Sequence, residues 1–318
     1  MKSYDPRIAV TALLLFLFCL VPLAAGAGAE MSRPAVLAPQ SLLLGLATAG
    51  DAVIAVGERG HVLRSTDEGH SWQQVIVPTR ATLTAVTFAD SLHGWAVGHD
   101  QTILKTVDGG LSWQLAHQDT DEAPPLLDLY FLDAARGFAV GAYGSFFSTS
   151  DGGQSWEKRW ISEDDFHLNQ IRAVNGTIFI AAEAGLVYRS DDQGETFTPL
   201  LPDYEGSFFG LLPLNDNRLL LFGLRGHLFH SDDLGETWEP LETGTEAGLT
   251  CGLRLHDGTL LVAGLSGALL VSHDDGRSFF SRQEEERKSF SQLLETLGGE
   301  ILAVGDFGVT LLPRTLLR

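Results

Sequence analysis

The chain has 318 residues, ordinary for one large repeat domain, and 44% of them are hydrophobic, enough for an extensive core. Its 41 acidic residues outnumber 21 basic ones, for a formal charge of −20. That balance excludes nucleic acid and anionic membrane surfaces as natural partners, because phosphate recognition needs a basic stripe.

The first 29 residues read as a targeting segment and not as fold. Lys2 and Arg7 form a short basic region, and Ile8 to Val21 is apolar or small throughout. Ala25-Gly26-Ala27 and Ala27-Gly28-Ala29 offer small residues where a signal peptidase reads. The expectation is a secretory signal over 1–29, cleaved to leave a start near Gly28 or Glu30. An uncleaved anchor is the alternative, for which the apolar run is short. A lipid anchor at Cys19 does not fit, since Phe18 before it is too bulky and Cys19 lies inside the apolar run. Cleavage removes two basic residues and one acidic one, leaving a charge of −21. Cys251 then remains as the sole cysteine, so no intramolecular disulfide can form and stability must come from buried area.

From residue 41 onward one pattern recurs. Turns built as Ser/Thr-x-Asp-x-Gly-x-Ser/Thr-aromatic end at Trp72, Trp113, Trp156, Phe197, Trp238 and Phe279, spaced by 41, 43, 41, 41 and 41 residues. Their third positions are Asp67, Asp108, Asp151, Asp192, Asp233 and Asp274. Each unit opens on an apolar strand such as Leu83 to Phe88. A second strand follows, ending in Val-Gly or a variant, as in Trp95-Ala96-Val97-Gly98. After a short turn comes a third strand, such as Thr102 to Thr106. The Asp turn then leads to a fourth strand. Second strands such as Leu219 to Gly223 are apolar at nearly every position, as strands buried on both faces are. A fixed period near forty with four strands per unit is a propeller blade. A seventh unit, Ser289 to Leu294, Glu300 to Gly305 and Val309 to Pro313, has no Asp turn and no fourth strand.

The expected fold is therefore all-β, a single seven-bladed propeller over 30–318. Its blades lie near 41–80, 82–121, 125–164, 167–202, 206–245, 248–284 and 289–318. Residues 34–39 are expected to supply the missing outer strand of the last blade, which would remove an open sheet edge.

These boxes, preceded by Ala-Val-Gly and a Gly-x-x-Gly turn, resemble the BNR/Asp-box superfamily, and more closely the photosystem II stability/assembly factor-like proteins. The likeness covers about residues 41–312. It implies a non-catalytic scaffold that holds a client protein of an envelope or membrane complex. Proteins of that type are thought to hold the client on an arginine-rich patch. Here only Arg59 and Arg225 stand at the matching turns.

The boxes themselves read as structural. A short carboxylate can accept the amides of its own turn, Gly at the fifth position takes a positive φ, and the closing aromatic packs between sheets. Asp191-Asp192-Gln193-Gly194-Glu195 lacks the ligand spacing of a calcium loop. His227 and His230 lie three apart on a strand and point to opposite faces. No metal and no cofactor is expected.

A binding site belongs on the opposite face, with the second-to-third turns and the interblade loops. The third position of Gly-x-x-Gly runs Arg59, Asp100, Tyr143, Ala184, Arg225, Ser266, Phe307. The position before it includes Glu58, His99, Glu183 and Asp306. These side chains are expected to rim the central channel, with Arg59, His99, Asp100, Tyr143, Glu183 and Arg225 as the partner-binding set. The loops around them are acidic: Asp119, Asp121 and Glu122; Glu163, Asp164 and Asp165; Asp203 and Glu205; Glu242 and Glu246; Glu284, Glu285 and Glu286. Such a face either steers a basic partner or keeps an exported monomer soluble.

The best enzymatic alternative is a sialidase- or xyloglucanase-like hydrolase. A sialidase needs three arginines, a Tyr–Glu pair and an acid Asp, and its Arg-Ile-Pro signature is absent. An inverting glycosidase needs two carboxylates about 6.5–9.5 Å apart. No Gly-x-Ser-x-Gly elbow and no Walker-type loop occurs.

Overall fold

The computed structural model describes residues 30–317 apart from Glu122, Asp216 and Glu285. The expected signal segment, Cys19 included, and two of the acidic loop residues therefore lie outside the described residues. No helix among the described residues is long and apolar enough to cross a membrane. The chain is all-β, with short 3-10 turns between strands.

Blade one shows the plan. Its strands are β1 (Leu43–Ala49), β2 (Ala52–Gly57), β3 (Val62–Ser65) and β4 (Gln73–Val75), antiparallel and paired in sequence order. Five further sheets repeat that order, and a seventh has three strands. Inner strands pack side by side around the ring, and β1 touches the inner strands of blades two and seven, which closes it. Second strands are buried from end to end, as in β2 and in Leu219–Gly223. Their apolar side chains face a neighbouring blade on both sides, so neither face can carry polar residues.

The glycine that ends these strands has a steric cause. A Cβ on Gly57 would sit 2.1 Å from the Leu42 carbonyl oxygen, and one on Gly264 would sit 2.0 Å from that of Gly248. The backbone turning into the next strand leaves no room for a side chain at that level.

The core is not central. It is divided into seven apolar clusters, one between each pair of adjacent blades. The closing aromatic of each Asp turn belongs to the cluster it shares with the preceding blade: Trp113 between blades one and two, Trp156 between two and three, Trp72 between seven and one. The indole of Trp95, fully buried, donates to the Gly152 carbonyl at 3.0 Å and so ties blade two to the turn of blade three. Between blades six and seven, where no Asp turn exists, Leu317 fills that seat. It is carried there by a closing 3-10 turn, Arg314–Leu317, and its carbonyl meets His273 Nε2 at 2.9 Å.

The N-terminal segment departs from expectation. Residues 34–39 do not pair as a strand with blade seven, whose sheet stops at its third strand, Gly308–Leu312. The segment straps blade one instead. Ser32 exchanges two hydrogen bonds with Val77, through its amide at 2.8 Å and its hydroxyl at 2.9 Å. The Gln74 side chain of β4 holds the Ala35 amide and the Arg33 carbonyl. The chain then turns through Ala38–Gln40 and buries Ala38 between blades seven and one. Pro34 and Pro39 supply no amide for a ladder, whereas Gln74 satisfies this backbone without one.

Candidate functional site

The Asp turns form one face and are self-contained. In the first, Asp67 accepts the Ser71 amide at 2.8 Å and the Ser71 hydroxyl at 2.5 Å. Ser65 donates its hydroxyl to the same carboxylate, and its oxygen accepts the Gly69 amide. The same four contacts recur around Asp108, Asp151, Asp192, Asp233 and Asp274. The hydroxyl and amide of Ser71 hold the Asp67 carboxyl at about 2, and those of Thr196 do the same for Asp192. These carboxylates are consumed by their own turns and have no acid to offer a substrate.

On the opposite face the second-to-third turns share one conformation. Arg59, Asp100, Ala184 and Arg225 each have φ 56°, with Tyr143 at 52° and Ser266 at 54°. A left-handed non-glycine residue costs about 1–2 kcal/mol, so six blades tolerate it at the same place. Blade seven differs: Gly305 pairs directly with Gly308, and the positive φ falls on Gly308. Phe307 is thereby half-buried against Phe290 and leaves the ring.

The six expected contact residues are spread over the second-to-third turns of blades one to five. None of them lines the channel, which is built from inner strands alone. Each inner strand has a bulge at its second residue, and Leu44, Thr84, Leu127, Asn169, Phe209, Thr250 and Ser291 project there into a narrow channel of about 130 Å³. Three of the polar members staple one blade to the next. Thr84 donates to the Leu126 carbonyl, Asn169 to that of Phe208, and Thr250 to that of Phe290. Inside, Arg172 bonds Asp128 at 2.5 Å, and the Ile171 amide adds a second bond at 3.0 Å. Burial pushes the Asp128 carboxyl up; Arg172 and the Ile171 amide oppose it.

Glu183 is occupied as well. It accepts the His167 amide at 3.0 Å and so caps the entry to its own blade, as Asp306 does for Ser289. Arg59 lies 4.0 Å from Glu58 and is largely exposed. His99 and Asp100 are exposed on blade two, and Tyr143 stands exposed beside His167 on blade three.

Arg225 has a different setting. It borders a groove of about 740 Å³ on blade five, with Tyr204, His227 and Trp238 along its wall and Asp203, Glu242 and Glu246 at its rim. Among the described residues Arg225 makes no ion pair, although three carboxylates share the groove. The Tyr204 ring lies 4.4 Å from that of His227, and its hydroxyl donates to the Leu224 carbonyl at 3.1 Å. Burial, then the charge of Arg225, lowers the His227 pKa, so the ring is neutral near pH 7. Sequence reasoning set His227 aside with His230; its place one residue after the Gly226 turn marks it as a face residue.

The chain matches the profile of the photosynthesis system II assembly factor YCF48 family over residues 63–125 and 115–250, more than half its length. It belongs to that family. Among curated relatives, the photosystem II assembly protein Ycf48 of Thermosynechococcus vestitus is 42% identical over 43 residues, 14% of this chain and 12% of that protein. The chloroplastic photosystem II stability/assembly factor HCF136 of Cyanidioschyzon merolae is 36% identical over 92 residues, 27% of this chain and 20% of its own. The matched stretches thus span only a small part of these relatives. A solved structure of YCF48 bound to a D1 peptide superposes with a TM-score of 0.71 at 20% identity, covering 89% of this chain and 95% of that one. At that identity the likeness establishes a shared propeller fold.

Proposed function

We propose that this YCF48-family chain is an exported, monomeric, non-catalytic scaffold that holds an extended segment of an envelope or membrane protein complex. The observation that carries the reading is the groove on blade five. It is large enough for a peptide, runs along the outer strands of blade five from the loop face toward Trp238, and contains an arginine that has no acid partner among the described residues. Family membership and the peptide complex of the YCF48 relative support the same use of the fold.

The chemistry narrows the client. An unpaired guanidinium favours one carboxylate, from a side chain or a chain end, held in bidentate fashion. The surrounding Asp203, Glu242 and Glu246 favour basic residues beside it. Tyr204, His227 and Trp238 offer flat faces for apolar or aromatic groups. Binding and steering then suffice for function, with no bond made or broken. The central channel, at about 130 Å³, is below the 300–1,000 Å³ typical of ligand pockets. Among the described residues its one carboxylate, Asp128, is committed to Arg172, which speaks against glycoside hydrolysis there.

The test is a pull-down from envelope extract with three proteins: the wild-type chain, Arg225→Ala/Tyr204→Ala, and Arg59→Ala/Asp100→Ala. The wild type is expected to retain a membrane protein that the first variant loses at least tenfold and the second keeps. Equal recovery by all three would remove the groove from the mechanism. Loss only in the second variant would move the site to blades one and two.

A further inference from the structure

Six blades have four strands, but the seventh ends, among the described residues, at Gly308–Leu312. In β3 the four residues are buried or half-buried beneath β4. In blade seven the same strand leaves Thr310 exposed and Val309 and Leu311 half-buried. The described chain reaches it only at the loop-face end, where Pro39 and Gln40 pack on Gly308. The N-terminal segment is bonded to Val77 and Gln74 of blade one, and the C-terminal turn takes Leu317 into the cluster between blades six and seven. An edge of backbone N–H and C=O groups is left without a strand beside it. Natural sheets seldom leave such an edge bare.

A groove of about 490 Å³ runs along that edge, with Phe307, Leu311 and Leu316 among its lining residues. Its loop-face end is acidic. Glu284 and Glu286 line it, and Asp306 stands beside it. Lys288, paired with Glu286, and the exposed Arg287 are the cations of this loop, so the three carboxylates described there outnumber them by one. An antiparallel fourth strand rises from the Asp-turn face toward the loop face, so its C-terminal end would meet these carboxylates.

We propose that the open edge of blade seven takes an extended segment of a partner protein as its fourth strand, with alternating apolar or β-branched residues followed by Lys or Arg. Main-chain bonds supply affinity and the acidic end supplies direction, as in other cases of strand addition. A second copy is disfavoured by charge: each chain has a formal charge of −20 and would bring a second acidic end. This site is separate from the Arg225 groove, and either can fail without the other.

The experiment uses chain purified from the envelope of the producing cell, with its N-terminus read by mass spectrometry. The probe is an acetylated, amidated Thr-Val-Thr-Val-Lys-Lys peptide. Controls are the same peptide N-methylated at alternate residues and a version ending in Glu-Glu. Hydrogen exchange of residues 308–312 is expected to be fast in the free protein and at least tenfold slower with the probe. The N-methylated and Glu-ended peptides should give no protection. Glu284→Gln/Glu286→Gln should weaken the probe by about threefold to tenfold, the worth of two exposed ion pairs. The proposal is overturned by slow exchange of the free monomer, which would mean the chain covers its own edge. A concentration-dependent dimer that protects these amides would assign the edge to a second copy. Absence of protection at millimolar probe would also overturn it.

Discussion

Replacing Arg172 by Met keeps the aliphatic stem in the channel but removes the guanidinium 2.5 Å from Asp128. The Asp128 side chain is 10% exposed, and in the variant its carboxylate keeps only the backbone amides of Ile171 and Leu129. Breaking a buried pair on one side costs about 3–5 kcal/mol. Arg172 is itself 28% exposed and water can enter beside it, so the lower figure of about 3 kcal/mol applies. For a domain of this size that lowers Tm by about 5 °C. The deficit must also depend on pH. Without Arg172 the folded-state pKa of Asp128 rises further above the unfolded value of about 3.9. Between those values the folded chain binds more protons than the unfolded one, so stability falls as pH rises. The variant should therefore lie closer to wild type at pH 5 than at pH 7.5. Asp128→Asn/Arg172→Met, with no stranded charge, should recover about half the loss at pH 7.5. Urea midpoints followed by tryptophan fluorescence give all four comparisons. An equal deficit at both pH values, together with no recovery in the double variant, would refute the account of the channel pair.

Two further outcomes follow from local chemistry. All six Asp-turn carboxyls are held below their ordinary value, with Asp67, Asp192 and Asp274 at about 2. A depressed folded pKa contributes stability that is complete above the unfolded pKa and lost as pH falls through the folded one. The urea midpoint should hold steady down to about pH 5 and then drop steeply toward pH 2; a flat profile across that window would show that the turns contribute no pH-linked stability. Cys251 is buried between blades six and seven, and burial pushes its thiol up to about 12. Ellman's reagent at pH 8 should leave Cys251 of the folded chain unmodified and titrate it after denaturation, because only a thiolate reacts; rapid labelling of Cys251 in folded protein would mean that this interface opens.

The blades were legible because their determinants are local or strictly periodic. The Asp turn closes within five residues, from Ser65 to Gly69 and from Asp67 to Ser71, so the residue types alone identify it. The apolar second strand, its terminal glycine and the box aromatic recur in nearly every unit, and that recurrence dictates stacking into a ring. The candidate site was only partly visible. Arg225 could be placed on the loop face from its turn, but its groove also draws on Tyr204 and Glu242 from the loops on either side and on Trp238 at the head of the fourth strand. The turn residues were expected at the rim of the channel; the side chains inside it were not foreseen, because a bulge at the second residue of each inner strand puts them there. No hydrophobic period marks a single inserted residue.

What only the tertiary structure decided involves partners one blade away or more. The Asp128–Arg172 pair spans 44 positions and the Ser32–Val77 pair 45. The N-terminal strap chose blade one over blade seven because Gln74 and Val77 offer it donors and acceptors that an edge ladder, interrupted by Pro34 and Pro39, cannot use as well. Leu317 took an aromatic's seat because an apolar cavity between two blades is filled by whatever apolar side chain the chain can deliver. A repeat unit specifies its own turns through contacts a few residues long; how the ring closes is set by packing between blades, where shape and unpaired backbone groups outweigh any local preference.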